Sequence, residues 1–126
     1  MTIPDNVTSI GNSAFQDCSA LQSVTLPTHV NFTSIGEGAF QSCDALLSVT
    51  IPNNVKSIGS RAFYHCSELQ SVTLPNNVNY TSIGPETFRE CSKLELVTFP
   101  TNVNFTSIGD NAFRECDALS VSYTHL

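Results

Sequence analysis

The chain has 126 residues and a formal net charge of −6 at pH 7, with only five Lys and Arg residues. So few basic residues argue against a nucleic-acid partner, which needs a clustered basic face, and against binding to anionic membrane surfaces. No apolar run approaches the length of a membrane span, so membrane insertion is not expected.

Nearly the same motif occurs five times, and its frame prolines are 23 or 25 residues apart. Its central part reads S-I-G-x-x-[AT]-F-x-x-C-x-x-L-x-x-V-T-[IL]-P. A fixed period of this length is typical of a solenoid, in which each coil packs only on its neighbours. The recurring Phe, Val, Ile and Leu residues would then form one continuous apolar column. We therefore predict about five stacked coils of 23–25 residues.

Within a coil, the sequence predicts a strand, a turn, a second extended segment and a short helix. Residues 21–26 place Val24 at the centre of a short apolar pattern, which favours a strand. Pro27 cannot donate to a ladder and therefore ends it. Val30 and Ile35 are the next residues predicted to point inward. Short helices or 3-10 turns are predicted from the repeat glycines onward, because proline and acidic residues follow them. Equivalent strands are predicted at residues 46–51, 69–74 and 94–99.

This motif resembles the BspA-like leucine-rich repeat family, from residue 3 to about residue 119. Two departures are Thr87 in place of Ala and Phe99 in place of Ile or Leu. The resemblance implies a leucine-rich-repeat solenoid of the α/β repeat type. Parallel β-strands would lie on one face, with short helices or 3-10 turns on the other. It also implies a surface-exposed, adhesive protein and supplies no catalytic residues.

Residues 1–119 are predicted to be the repeat array, truncated at both ends, because the chain opens within a repeat strand. Residues 120–126 leave the repeat frame, and a foreign origin such as translated vector sequence is one explanation. The full-length protein would be at the cell surface or secreted, with its signal outside this fragment. Apolar ends of the array would allow end-to-end self-association.

The cysteines have three open interpretations, because one occurs in each repeat. They are buried reduced thiols beside the phenylalanines, one or two disulfides between coils, or metal ligands. Equivalent side chains in stacked coils form a line, whereas metal ligands converge on one point. His65 and Cys66 are adjacent, but nothing indicates a third, orienting group. We predict no catalytic residue, no metal ligand and no cofactor.

Two repeated features lie between the strands. Sequons recur with the repeat, which makes their glycosylation a hypothesis that depends on a secreted eukaryotic source. A two-residue insertion in three repeats introduces an aromatic residue. This residue would either form an exposed edge that binds sugars or proteins, or fold back over the insertion. The sequon asparagines are Asn6, Asn31, Asn79 and Asn104. The candidate aromatic edge is Phe32, Tyr80 and Phe105.

The outward residues of the predicted strands form the main candidate binding face. They are mostly hydroxyl-bearing, whereas most charges fall in the predicted helical segment. A sheet surface of a solenoid often carries partners, although Thr rows also simply favour a sheet. The members of this strand face are Ser23, Thr25, Ser48, Thr50, Ser71, Thr73, Leu96 and Thr98.

These observations favour a non-enzymatic protein-interaction or adhesion module of a cell-surface or secreted repeat protein. Its partner would be an unidentified protein, such as a host or cell-surface protein. The alternative is a structural spacer in a longer multidomain protein. An enzyme or metal protein is disfavoured, because the repeat accounts for every cysteine.

Overall fold

The computed structural model describes residues 1–120, which form a parallel β-solenoid. The predicted tail at 120–126 therefore lies, apart from Ser120, outside the described residues. The strands are of two types, S-I and S-V-T, and the coils that begin at Pro27, Pro52 and Pro75 contribute one of each. The S-I strands are β1 (Ser9–Ile10), β2 (Ser34–Ile35), β4 (Ser57–Ile58), β6 (Ser82–Ile83) and β8 (Ser107–Ile108). The S-V-T strands are β3 (Ser48–Thr50), β5 (Ser71–Thr73) and β7 (Leu96–Thr98).

The strands pair in parallel and in the register that the repeat predicts. Three sheets result, with strand orders β1-β2-β4, β3-β5-β7 and β6-β8. Val49 pairs with Val72, which in turn pairs with Val97. The central valine of each S-V-T strand is buried and its two neighbours face outward, as expected for a side-chain period of two. An isolated parallel bridge joins Thr2 to Thr25.

The core is a column of repeated side chains. Phe15, Phe40, Phe63, Phe88 and Phe113 stack along the solenoid, with neighbouring ring centroids 5.3–5.5 Å apart. They mark about four turns. Thr87, the departure from Ala, is fully buried, and its hydroxyl donates to the Gly84 carbonyl at 2.8 Å. No helix long and apolar enough to cross a membrane occurs in residues 1–120.

The predicted short helices are not formed between the repeat glycines and cysteines, where the described chain has turns only. Every second main-chain N–H group in this segment donates to the next coil. Those of Ser13, Phe15 and Asp17 donate to carbonyls of that coil at 2.8 Å each. The residues between them donate to the carbonyl three positions earlier. An α-helix is defined by bonds from N–H groups to the carbonyl four residues earlier, and the turn segments of residues 1–120 contain none.

Backbone angles agree with this correction. Each coil has residues with positive φ two positions after the glycine and directly before the cysteine, such as Ser13 (57°) and Asp17 (63°). Nine of these residues in the described chain are not glycine. A left-handed residue interrupts a right-handed helix and costs about 1–2 kcal/mol for an L-residue. The hydrogen bonds between coils therefore outweigh local preference here.

The aromatic residues of the insertions are buried, so the predicted exposed aromatic edge is wrong and the fold-back alternative is confirmed. Phe32, Tyr80 and Phe105 are 0%, 2% and 4% exposed. Each takes the position that a valine occupies in a repeat without the insertion. Val55 and Phe32 both donate their N–H to the carbonyl three residues earlier, at 3.1 and 3.0 Å.

The valine that precedes each insertion aromatic is displaced outward. Val30, predicted to be inward, is 66% exposed. Its equivalents Val78 and Val103 are 60% and 90% exposed. Because each site admits one apolar side chain, the larger aromatic ring occupies it and the valine remains outside.

Unequal arc lengths explain why there are three sheets and not two. We call the segment between a frame proline and the next S-I strand an arc. The arcs that begin at Pro4 and Pro52 are two residues shorter than those at Pro27, Pro75 and Pro100. The two long arcs at Pro75 and Pro100 are neighbours, and their coils are paired on both sides, through β5–β7 and β6–β8.

Strand pairing is lost at two junctions, and each joins a short arc to a long one. At the first gap, no hydrogen bond joins residues 24–26 to Thr50 within the described chain, although Ile51 N–H donates to Thr73 at the equivalent place. At the second gap, β4 and β6 do not pair. The junction between the arcs at Pro4 and Pro27 keeps both pairings, with the S-V-T side reduced to the Thr2–Thr25 bridge. The two extra residues are accommodated by opening one of the two ladders beside the arc.

Candidate functional site

The strand face is where the sequence predicts it. β3, β5 and β7 present two outward rows, in which Ser48, Ser71 and Leu96 are in register, as are Thr50, Thr73 and Thr98. Ser23 and Thr25 continue these rows and are exposed. Parallel strands lie about 4.8 Å apart, so the rows form a regular, neutral surface.

The hydroxyls of the strand face are free. In residues 1–120, the hydroxyl groups with hydrogen-bond partners are those of Tyr64, Thr87 and Thr101, which lie outside this face. Leu96 adds an apolar contact, with 57% of its surface exposed. The surface therefore combines unpaired donors and acceptors with an exposed hydrophobic side chain.

On the turn face, where most charges lie, each Lys and Arg side chain has an acidic partner, whereas acidic residues such as Glu37 and Asp110 form no ion pair in residues 1–120. Glu86 accepts from Arg61 of the preceding coil at 3.0 Å and from Arg89 at 2.6 Å. These two guanidinium groups, Arg89 first, hold the pKa of the Glu86 carboxyl below its ordinary value. Lys93 binds Glu68 at 2.9 Å across one coil. The charges thus link neighbouring coils.

The arcs carry a row of asparagine contacts that sequence reasoning missed. The main-chain N–H of Asn76 donates to Asn53 Oδ1 at 3.0 Å, and that of Asn102 donates to Asn76 Oδ1 at 3.2 Å. Asn77 Nδ2 donates to the Asn53 carbonyl at 3.0 Å. The recurrence of Asn after the frame prolines was the available signal. These amides satisfy polar groups of neighbouring coils.

The sequon asparagines Asn6, Asn31, Asn79 and Asn104 are all exposed. Asn104 differs from the others, because its Nδ2 donates to the Val78 carbonyl at 3.3 Å. Glycosylation stays a prediction. A mobility shift after glycosidase treatment of natively sourced protein would test it.

The cysteines form a row of free thiols, buried at Cys43, Cys66 and Cys91 and half-buried at the two ends. Cys18, Cys43, Cys66, Cys91 and Cys116 are all unbridged. Each sulfur from Cys43 onward donates to the phenylalanine carbonyl one coil earlier, as from Cys66 to Phe40 at 3.2 Å. Burial raises the pKa of Cys43 to about 11 and that of Cys116 to about 12. The thiols of Cys43 and Cys116 therefore stay protonated and unreactive at neutral pH.

Residues that could support chemistry do not converge in the described chain. Cys66 is fully buried, whereas the adjacent His65 is exposed and faces Asp44 at 3.2 Å. Within residues 1–120, no group of three or more His, Cys, Asp or Glu side chains is arranged to hold a metal ion. In the described residues, Cys66 and His65 therefore do not form a pair of nucleophile and base.

The first gap forms a groove in the strand face, which sequence reasoning did not anticipate. It encloses about 320 Å³. Its buried floor includes Val24, Leu26 and Val49. In the sequence, the groove is indicated only by the unequal spacing of the frame prolines. The residues that line it are Ser23, Val24, Thr25, Leu26, Thr28, Ser48, Val49, Thr50 and Pro52.

A second cavity, of about 330 Å³, lies beside the first residues and is lined by Met1, Ile3, Val7 and Phe15 among others. Its surface is largely apolar. End-to-end association stays a prediction, and light scattering over a range of protein concentrations would test it.

Stacked coils with parallel strands, one central apolar residue per strand and a period of 23–25 residues define a leucine-rich-repeat solenoid. Residues 1–120 match six copies of the BspA type leucine-rich repeat region. The chain belongs to this family, which confirms the resemblance seen in the sequence.

Solved structures of bacterial leucine-rich repeat proteins are similar. One from T. pallidum is 34% identical with a TM-score of 0.84, and the match covers 98% of this chain and 54% of that one. A leucine-rich cell surface protein of Faecalibacterium prausnitzii is 36% identical with a TM-score of 0.77, covering 95% and 37% of the two chains. A protein of Bacteroides ovatus is 32% identical with a TM-score of 0.65, covering 96% and 35%. This chain therefore spans about half of these relatives or less. No curated protein matches it.

Proposed function

We propose that the chain is a non-enzymatic protein-interaction module of a cell-surface or secreted repeat protein, and that the strand face is its adhesive surface. The observation that carries this proposal is the set of outward-facing, unpaired hydroxyls on β3, β5 and β7. Unpaired donors and acceptors at a flat surface are available to a partner without first breaking a bond in the protein.

The other faces support the proposal by contrast. The basic side chains of the turn face are held in ion pairs, as Arg61 is with Glu86 of the next coil. Asparagines of the arcs bond to neighbouring arcs. The insertion aromatics are buried. On the strand face, by contrast, no side chain forms a hydrogen bond or ion pair within residues 1–120.

A surface or secreted location is proposed by analogy. The F. prausnitzii relative is described as a cell surface protein. The net charge of −6 and the few basic residues disfavour nucleic acid as the partner. We expect the partner to be a protein presented by a host or neighbouring cell.

The proposal can be tested with beads coated with the chain and allowed to attach to epithelial cells. Thr50→Glu combined with Thr98→Glu places two charges on alternate strands, which avoids repulsion between adjacent ones. We expect attachment to fall roughly tenfold, because burying an unpaired carboxylate in an interface is costly. Trypsin treatment of the cells should remove the partner and abolish attachment.

The matched control carries the same two added charges on the turn face, as Ser19→Glu and Ser92→Glu at exposed positions. This variant should attach like the unchanged chain. Equal attachment of both variants would exclude the strand face. Absence of attachment by the unchanged chain would favour the structural-spacer alternative.

A further inference from the structure

The first gap exposes main-chain groups that elsewhere in the sheet are paired. In the first coil, Thr25 N–H donates to Met1 and Thr25 C=O accepts from Ile3, at 2.8 and 3.0 Å. In the third, Thr73 C=O accepts from Ile51 N–H at 2.9 Å. In the same register, Thr50 N–H would donate to the Val24 carbonyl, and the Thr50 carbonyl would accept from Leu26 N–H. Neither of these two bonds is present in the described chain.

Main-chain groups on both walls consequently face the groove without partners. They include the N–H and C=O of Thr50 and the C=O of Ser48 on one wall, and the Leu26 N–H and both main-chain groups of Val24 on the other. Such groups are among the strongest hydrogen-bonding groups of a protein, and they are seldom left unpaired near the core. Leu26 and Val24 are only 4% and 8% exposed, so the groups lie beside the hydrophobic core.

The lining of the groove restricts what can occupy it. None of the lining residues carries a charge. Its floor is apolar, and the outward hydroxyls of Ser23, Thr25 and Ser48 lie along its rim. An occupant that matches these features has an extended main chain, which offers N–H and C=O groups in alternation, and small uncharged side chains.

We propose that the first gap is a docking site for an uncharged, extended peptide segment of a partner protein, bound by main-chain hydrogen bonds to Thr50 and residues 24–26. This is strand addition at an internal break of a sheet, where both walls and not a single edge supply the ladder. The inference rests on the proposed interaction function and assigns it to one place on the strand face. Side-chain alternation along the peptide would supply specificity.

Titration of the ¹⁵N-labelled chain with acetyl-Thr-Val-Thr-Val-amide tests the proposal. We expect saturable shifts of the Leu26 and Thr50 amide signals with a Kd on the order of 1 mM, as befits a tetrapeptide. A probe N-methylated at its central valine keeps the side chains and loses one donor. It should bind roughly tenfold more weakly. Equal binding of both probes, or no shift at these amides, would overturn the proposal.

Two substitutions at Thr50 separate main chain from side chain. Thr50→Pro removes an N–H that has no partner in the fold, so no native hydrogen bond is lost. Thr50→Val keeps that N–H and removes the hydroxyl. Loss of binding by the proline variant with retention by the valine variant supports the docking site. The reverse result contradicts it.

Closing the gap provides an independent test. Deleting His29 and Val30 gives the arc at Pro27 the length of its neighbour at Pro52, and every hydroxyl of the strand face remains. The Leu26 and Thr50 amides should become protected from exchange, and the probe should no longer bind. Binding by this closed variant would refute the proposal. If cells fail to bind the beads while the probe still shifts these amides, the adhesion function fails and the docking site stands.

Discussion

Tyr80 brings a hydroxyl into a core position that Phe32 and Phe105 occupy without one. Its oxygen is buried and has no hydrogen-bond partner in the described structure. Burial also raises the pKa of this phenol above its ordinary value. The ring stacks on Phe105, with centroids 5.7 Å apart, so the packing does not depend on the hydroxyl.

Tyr80→Phe should therefore stabilise the protein by about 1–2 kcal/mol, because an unsatisfied buried polar group is removed. The midpoint of urea unfolding measures this. Phe105→Tyr is the matched reverse change and should destabilise by a similar amount. A Tyr80→Phe variant that is no more stable would show that the hydroxyl is hydrogen-bonded in solution.

The Cys43 thiol predicts a dependence of stability on pH. Its pKa is raised from 9.0 to about 11 by burial, with the neighbouring Cys18 next in importance. Between these values the unfolded chain releases a proton that the folded chain retains, so unfolding becomes easier as pH rises. The stability that the protonated Cys43 thiol contributes to the fold is complete below pH 9 and is lost as pH passes through about 11.

Comparison with Cys43→Ala isolates this effect from other groups that titrate in the same range. Alanine lowers stability at pH 7 through lost packing. The difference in free energy of unfolding between the unchanged protein and Cys43→Ala should shrink by on the order of 2 kcal/mol between pH 9 and 11. A constant difference across that range would mean that the thiol titrates normally in the fold.

At the residue scale, the sequence predicts the position of a residue correctly where that residue type recurs once in each repeat. The phenylalanine stack and the thiol row follow from the period. The prediction failed for Val30 because Val30 and Phe32 are two residues apart, and alternation alone assigns both to the same face. Competition for one core site decided between them, and that competition is a property of packing.

At the scale of elements, the repeat glycines look equivalent in the sequence and differ in the fold. A Cβ on Gly59 would lie 2.3 Å from Glu37 N and 2.6 Å from Glu37 Cα. A Cβ on Gly84, beside the second gap, would meet nothing closer than the Thr87 hydroxyl at 3.5 Å. The main-chain N–H of Gly59 also donates to Ile35 at 2.8 Å, a bond that Gly84 lacks in the described chain.

Gly59→Ala is expected to cost about 2–3 kcal/mol, since main chain must move to admit the methyl group. Gly84→Ala should change stability by less than about 1 kcal/mol and with either sign. Chemical unfolding of the two variants gives the comparison. Equal destabilisation would mean that the second gap is closed in solution.

The turn segments show why element types were only partly predictable. Parallel strands and their register follow from the apolar pattern and the period. The helix prediction used first-turn composition, which suits any turn that starts with free N–H groups. Ser13 and Glu86 both have the left-handed backbone conformation, which neither residue type favours. Their hydrogen bonds to the next coil impose it, so it could not be predicted from the residues themselves.

At the scale of the whole molecule, the arc lengths determine whether the two ladders run unbroken. Inserting Val-Asn between Asn54 and Val55 would give the arc at Pro52 the length of the arcs at Pro27, Pro75 and Pro100. Both gaps should then close. The expected new bonds are those from Leu26, Thr50, Thr81 and Gly84, by analogy with their paired equivalents.

The net gain in stability should be small, about 1 kcal/mol, because four hydrogen bonds of roughly 1 kcal/mol each are offset by the ordering of two more residues. Hydrogen exchange is the sharper measurement. The Leu26, Thr50 and Gly84 amides should become as protected as those of Ile51 and Gly59. The same dipeptide inserted between Asn102 and Val103 is the matched control, because it leaves the arc at Pro52 short, so both gaps should stay open. If the first insertion leaves both gaps open, arc length is not what divides the sheet.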